Sequence, residues 1–471
     1  MALIPETLGL YTDYYELTMT YGFFKKNRTH ETAVFDYFFR TNPFQGGFTV
    51  FAGLRDLLEL LDQFRFSDAD LGYLRAQGFS DDFLHWLSQF HFRGNIYSVE
   101  EGEIVFPQEP VLRVEGNLLE AQLLESVLLN VLNFQSLVAT KAFRIRQVVG
   151  DRLFSEFGLR RAQGLGAMMA SRAACIGGAD STSNVLAACK YGIPPSGTQA
   201  HAWIQSFDSE LEAFRAYAEV HGSSTILLVD TYDTLRSGVP NAIRVAREME
   251  THGERLRGIR LDSGDLAYLS KKARKMLDDA GLEYVSIVAS NQLNEHVIKS
   301  LLTDQQAPID AFGVGTELAS AKPDAALDGV YKLSAINGTP RMKISENIEK
   351  VTLPGIKSLI RFYDADGFFF RDGIFLEEDS LAGADTIFHP VYPEKNTTVA
   401  GLRYEHLLKP VFAEGQVLIA NKTPKELFGY LKERAARLPA EHQRFIRPHL
   451  YKVGVSRRLL ELRNALMSKR Y

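Results

Sequence analysis

Between about residues 151 and 345 one pattern recurs: a short apolar run, a polar residue or glycine at its carboxyl end, then an amphipathic stretch. The runs are 153–157, 225–229, 258–261, 284–289, 309–314 and 330–333. Asp230, Asp262, Ser290 and Gly315 follow four of them, at intervals of 32, 28 and 25 residues. Each interval fits one strand, one helix and two short loops. Strands that are apolar on consecutive residues belong to a parallel sheet covered on both faces. The pattern therefore leaves an α/β barrel or an open doubly wound sheet. No GxGxxG follows the first run, which disfavours the open dinucleotide-binding form.

The stretch 266–281 shows why the intervening segments read as helices. Leu266, Leu269, Ala273, Met276, Leu277 and Ala280 fall at spacings of three and four, Lys271, Lys272, Lys275 and Asp278 fall between them, and Gly281 is a stop signal. The expected architecture is an irregular or incomplete parallel α/β barrel over 151–345. Residues 1–150 and 346–471 are expected to form a flanking α+β domain. In the first flank the short runs 96–99, 103–106 and 111–114 read as a small antiparallel unit, with one long helix over 118–146. In the second, Asp372-Gly373 reads as the turn of a hairpin.

Composition narrows the partners. The chain has 471 residues and a formal charge of −5, not the basic footprint of a nucleic-acid binder. Its most apolar segment, 118–138, is interrupted by Glu120, Glu125, Asn130 and Asn133, so no membrane span is expected. The N-terminal apolar stretch is broken by Glu6 and Asp13, which argues against a secretory signal. Cys175 and Cys189 are the only cysteines, too few for a disulfide framework. A cytoplasmic enzyme is the expectation.

In parallel barrels the working residues stand where strands end. Here that rim carries Asp230 and Asp233, then Arg260, Asp262, Ser263 and Asp265, then Ser290, then Gly313, Gly315 and Thr316. Taken singly, Ser263 and Asp265 are equally ordinary helix caps. Glycines at 313 and 315 let backbone N–H groups approach a phosphate, and the Thr316 hydroxyl adds a donor. A second polar loop, Ser196-Gly-Thr198-Gln-Ala-His201, brings a histidine that is either a general base or phosphoryl acceptor, or structural. Arg160 and Arg161 follow the first run, and with Arg260 they suit a carboxylate or diphosphate.

These segments, with Tyr11-Thr-Asp-Tyr-Tyr15, Phe106-Pro-Gln-Glu-Pro, Glu120-Ala-Gln-Leu-Leu-Glu, Glu156-Phe-Gly-Leu-Arg-Arg-Ala-Gln-Gly and Pro410-Val-Phe, stand in one order over about 400 residues. In that order the chain resembles the nicotinate phosphoribosyltransferases. The resemblance implies transfer of a phosphoribosyl group from phosphoribosyl pyrophosphate to nicotinate, coupled to ATP hydrolysis through a phosphohistidine. It implies Mg²⁺ held mainly by the diphosphate, without direct protein ligands, and a homodimer. By position, His201 matches the phosphorylated histidine and Thr198 a residue near the ring. Tyr15, from the second subunit, and Phe157 match an aromatic pair around the pyridine. Arg260 and Arg160 match basic residues near the nicotinate carboxylate and the diphosphate. Asp230 and Asp262 match acids by the ribose and metal-diphosphate, and Gly313, Gly315 and Thr316 the loop of the 5-phosphate. Between Gly164 and Ser171 the chain is shorter than in many relatives.

The rim's own chemistry agrees. Cleaving C1 from diphosphate builds positive charge on the ribose and negative charge on the leaving group, which call for carboxylates and cations respectively. Three other readings stay open. Nicotinamide as the base would want an acid such as Asp180. A sugar-phosphate aldolase or isomerase would want a lysine at a strand end, and only Lys332 lies in a late run. A relative that only binds nucleotide would have no need of His201.

Overall fold

The computed structural model describes residues 7–345, 351–380 and 385–469. Glu6, used above to argue against a secretory signal, lies outside the described residues. The chain forms two compact units. One comprises Lys141–Ala325 with Thr423–Phe428; the other comprises Met1–Thr140, Ala326–Lys422 and Gly429–Tyr471.

The first unit is built on a six-stranded sheet in the order Ser181–Thr182, Leu153–Glu156, Ala311–Val314, Ser286–Ser290, Gly258–Leu261, Ile226–Leu228. Every pairing in it is parallel. Five of the six apolar runs supply strands. The two-residue strand Ser181–Thr182 carries no apolar run and gave no signal. Leu227, Val229, Ile259, Leu261 and Ile287 are fully buried under Val239, Ala242, Val245 and Ala246 of the helix Val239–Thr251 and under Ala273 and Leu277 of Leu266–Asp279. Each large aliphatic side chain so buried contributes about 1.5–3 kcal/mol. The helix Leu266–Asp279 starts on Asp265, whose side chain accepts from Tyr268 N, and stops before Gly281 at φ +67°. Gly238 is obligatory: a Cβ there would lie 1.9 Å from Val229 O, so only glycine lets the helix seat on the strand end.

The outermost strands of the ladder, Ser181–Thr182 and Ile226–Leu228, do not pair with each other. The irregular segment 194–199 touches both. Thr182 N donates to Pro194 O (3.1 Å), Ser196 N to Thr182 O (2.9 Å), and Gln199 Nε2 to Ile226 O (3.4 Å).

The second unit holds a seven-stranded sheet ordered Thr339–Pro340, Gly329–Ile336, Thr32–Phe39, Leu112–Asn117, Asn95–Ser98, Lys409–Ala413, Gln416–Val417. A six-stranded sheet centres on the hairpin of Lys357–Tyr363 and Phe369–Leu376. Three expectations are corrected here. The run 330–333 does not join the parallel sheet: Gly329–Ile336 pairs antiparallel with Thr32–Phe39, and Tyr331 stacks on Phe35 at 4.7 Å. A continuous apolar run looks the same in either kind of sheet, and the partner decides. The hairpin turns over Asp364–Gly367, with Gly367 at φ +90°, and not at Asp372-Gly373. Asp372 is instead mid-strand, fully buried and ion-paired with Arg361. The long helix is broken into Leu118–Gln122, capped by Asn117, and Glu125–Val149. Among the described residues no helix is long and apolar enough to cross a membrane.

Candidate active site

The carboxyl ends of the parallel strands gather four of the candidate residues into one hydrogen-bonded set, with His201 beside it. Asp230 Oδ2 accepts from Asp262 N (2.9 Å) and Ser263 Oγ (2.7 Å), so it ties two neighbouring strand ends together. Its Oδ1 is buried without a partner. Asp262 Oδ1 accepts from Ser290 Oγ, and its Oδ2 stands 4.0 Å from His201 Nε2. His201 opens the helix His201–Gln205, and its Nδ1 lies 3.1 Å from Thr231 Oγ1. The imidazole is thus bracketed by a hydroxyl and a carboxylate.

Arg260, one residue before the end of its strand, donates to Thr198 Oγ1 (2.8 Å). Its Nε is buried and has no partner among the described residues. Burial pushes the Arg260 pKa below its usual value, against the pull of Asp262 and Asp230, and the charge of Arg160 works in the same direction as burial. A guanidinium held in place, poorly solvated and incompletely paired is a receptor for an anion.

Phe157 and the glycine turn lie together. Phe157 N donates to Val314 O (2.8 Å). A Cβ on Gly313 would meet the Phe157 ring at 2.3 Å, and one on Gly315 would meet Phe157 O at 2.9 Å. Gly313 is a buried strand residue paired with Ser290 and Ser155, so its lack of a side chain seats the aromatic ring. Gly315 and Thr316 begin the short helix Thr316–Ala319. Arg160 and Arg161 are exposed on the loop that follows Phe157.

Tyr15 belongs to the other unit. It lies on the helix Tyr14–Lys25, 45% exposed, with Tyr11 and Tyr14 exposed beside it in sequence. Burial and the neighbouring Glu125 raise its pKa.

Several candidates prove to be local structure. Asp233 caps the turn at Leu235 and Arg236, as Asp265 caps its helix. Asp180 Oδ2 accepts from Arg146 Nη2 (2.6 Å) and Phe154 N (2.8 Å) at the amino end of its strand, away from the rim, so it is no partner for an amide there. Lys332 is in the antiparallel unit, paired with Glu125 (3.2 Å), which removes the Schiff-base candidate. Sequence reasoning passed over Thr231 and Gln199. Gln199 is 5% exposed, with Oε1 lacking a partner. Their signal was their position beside Asp230 and Thr198 in polar loops. Among the described residues no group of three or more His, Cys, Asp or Glu could hold a metal ion.

Comparisons with known proteins agree along the whole chain. Residues 10–133 match the nicotinate phosphoribosyltransferase N-terminal domain, 153–379 the nicotinate phosphoribosyltransferase family, and 356–463 the C-terminal domain. The nicotinate phosphoribosyltransferase of Bacillus subtilis is 44% identical over 462 residues, covering 96% of this chain and 93% of that one. The human nicotinate phosphoribosyltransferase is 34% identical, covering 97% and 96%. The crystal structure of human nicotinic acid phosphoribosyltransferase superposes with a TM-score of 0.87 at 32% identity, over 97% of this chain and 99% of that one. A nicotinate-nucleotide pyrophosphorylase from Pyrococcus furiosus superposes at 0.71 with 26% identity, over 91% and 95%. With this rim at its strand ends and these relatives over nearly its full length, the chain belongs to the nicotinate phosphoribosyltransferase family.

Proposed function

We propose that the chain transfers the phosphoribosyl group of phosphoribosyl pyrophosphate to nicotinate, with ATP hydrolysis coupled through a phosphohistidine at His201. The products are nicotinate mononucleotide and diphosphate, which places the reaction in NAD biosynthesis and salvage. The observation that carries this reading is Arg260: a largely buried guanidinium within the field of two strand-end carboxylates, with an unused N–H. A planar carboxylate such as that of nicotinate satisfies it, and a neutral amide does so less well.

In this reading Phe157 covers one face of the pyridine and Tyr15, from a second copy of the chain, the other. Thr198 holds Arg260 in orientation. As C1 parts from diphosphate, Asp230 and Asp262 stabilise the positive charge on the ribose, while Arg160 disperses the charge on the leaving group. Gly315 and Thr316 take the 5-phosphate, and Gly313 seats Phe157. A ring nitrogen of His201 attacks the γ-phosphorus of ATP. ADP leaves, and the phosphohistidine is later hydrolysed to free phosphate.

A Mg²⁺ ion carried in on the diphosphate would be held mainly by it, and the unpartnered Oδ1 of Asp230 would accept from the ion's water shell. When bound, that ion would neutralise diphosphate charge. The segment 194–199 closes the parallel sheet into an incomplete barrel in this account, since it touches both outer strands. The free thiols Cys175 and Cys189 accord with a cytoplasmic setting.

A product assay with phosphoribosyl pyrophosphate and either base, with and without ATP, tests the reading. Nicotinate mononucleotide as the main product supports it, and exclusive use of nicotinamide overturns it. γ-Labelled ATP should leave an acid-labile, base-stable label on the wild type and none on His201→Asn, which should keep a slow ATP-independent transfer. An ATP-stimulated rate of normal size in His201→Asn would make His201 structural.

A further inference from the structure

Glu156 is the last residue of its strand and is 1% exposed, yet no cation among the described residues pairs with its carboxylate. It accepts three hydrogen bonds instead. Oε1 takes Gly158 N, and Oε2 takes Ser171 Oγ (2.9 Å) and Thr182 Oγ1 (2.6 Å). Its backbone carbonyl accepts from Ser183 N (2.9 Å). Ser171 belongs to the helix Gly166–Ile176 and Thr182 to the neighbouring strand, and both are fully buried. Burial raises the Glu156 pKa, and the three donors work against that rise. A carboxylate buried without a cation is a costly way to join three elements, because desolvation penalises the charge. An apolar side chain would serve if packing were the only need.

What the carboxylate holds is the pivot of the turn that bears Phe157 and Arg160. Gly158 N is bound to Glu156, and Gly158 O accepts from Arg161 N (2.8 Å) and Ala162 N (3.1 Å). A Cβ on Gly158 would lie 2.3 Å from Ala319 Cβ and 2.6 Å from Glu156 Oε1, so the turn is wedged between the carboxylate and the helix Thr316–Ala319. Phe157 is thus fixed on one side by Val314 O and on the other by a glycine that Glu156 clamps.

We infer that Glu156 is a positioning residue that sets the Phe157 ring for the incoming base. The inference rests on the proposed place of Phe157 at the pyridine. Removing the acceptor frees Gly158 N and lets the ring drift, which weakens nicotinate more than phosphoribosyl pyrophosphate: of the groups assigned to the latter only Arg160, exposed two residues past the clamped glycine, shares this turn, and Asp230, Asp262 and Thr316 take no bond from this carboxylate.

The test is steady-state kinetics with both substrates, together with thermal unfolding, on Phe157→Ala, Glu156→Ala, Glu156→Gln and Glu156→Asp. Glu156→Ala should raise the nicotinate KM about tenfold and the phosphoribosyl pyrophosphate KM less than about threefold. Glu156→Gln keeps an acceptor for Gly158 N and should return the nicotinate KM to within about threefold of wild type. Glu156→Asp keeps the charge but not the reach, and should raise it about fivefold even if the alanine variant fails to fold. A purely structural role would lower the melting temperature and the active fraction with both KM values unchanged, and that result overturns the inference. If Phe157→Ala raises the nicotinate KM and no folded Glu156 variant does, the inference alone fails. If Phe157→Ala also leaves it unchanged, the placement of the base fails and takes the inference with it.

Discussion

Arg361, in the antiparallel unit, and Arg260, at the rim of the parallel sheet, bring the same cation into the protein on opposite terms. Arg361 is 0% exposed and richly paired: Nε and Nη2 bind Asp372, Nη1 binds Glu103 (2.6 Å), and Nη2 also reaches Ile104 O (2.8 Å). Tyr451 completes Asp372, and Arg434 and Tyr430 complete Glu103. Burial works to lower the Arg361 pKa, but Asp372 and Glu103 outweigh it and hold it well above its usual value. At Arg260 the balance goes the other way: burial outweighs the two aspartates, and Nε stays unpartnered. A charge whose bonds are closed inside the chain fastens the fold. One whose bonds stay open keeps a place for a ligand.

The largest effect expected from this contrast is on stability. Arg361→Leu strands Asp372 in the interior, leaves Glu103 with Arg434 as its one cation, and should cost about 3–5 kcal/mol in denaturant unfolding. A loss below about 1 kcal/mol would break the comparison at its structural end.

Glu16 sharpens it from the acidic side. It is fully buried against the Thr12 and Ser126 hydroxyls. Burial raises its pKa to about 7, with those hydroxyls pulling it down and Glu125 and Asp13 adding to the rise. Because the folded state holds this proton more tightly than the unfolded chain, stability is greatest below the ordinary carboxylate range. It should fall as pH rises toward about 7 and then level off, a change of about 3 kcal/mol at most. Glu16→Gln should flatten that portion of the pH–stability curve; an unchanged slope would mean the carboxyl is paired after all.

Arg260→Ala should spare the fold and damage the reaction. The expected loss in kcat/KM for nicotinate is about 1.5–3 kcal/mol, the worth of a hydrogen bond to a charged group. Nicotinamide use should suffer less, and the unfolding midpoint should barely move. Equal losses with both bases would remove the carboxylate role. The smallest effect belongs to Asp265→Ala at the same rim, which should cost about 1 kcal/mol of stability as a lost helix cap and leave both KM values unchanged.

The sequence by itself determined five of the six parallel strands and which residues end them. Alternation of apolar runs with helical periodicity is a short-range signal, and the strand-end positions of Asp230, Asp262 and Ser290 follow from it. It also named Arg260, His201 and Thr198 through polar loops in a family-like order. Tertiary structure decided which of those polar groups are open. Asp233 and Asp265 have the same chemistry as Asp230, but their own helices claim them, whereas Asp230 keeps a free oxygen because its partners come from the next strand. Asp372-Gly373 reads as the hairpin turn, but Asp366-Gly367, which the sequence reading passed over, carries the same turn chemistry. Burial of Arg361 drew Asp372 into the strand and left Asp366-Gly367 to turn. The run 330–333 went to the antiparallel sheet because its partner was Thr32–Phe39, nearly three hundred residues earlier in the chain. Gly313 was legible as a glycine near a phosphate loop, but only the Phe157 ring lying against it gave the reason. Periodicity and turn chemistry act over a few residues and can be read along the chain; desolvation and pairing act between segments that meet only when it folds.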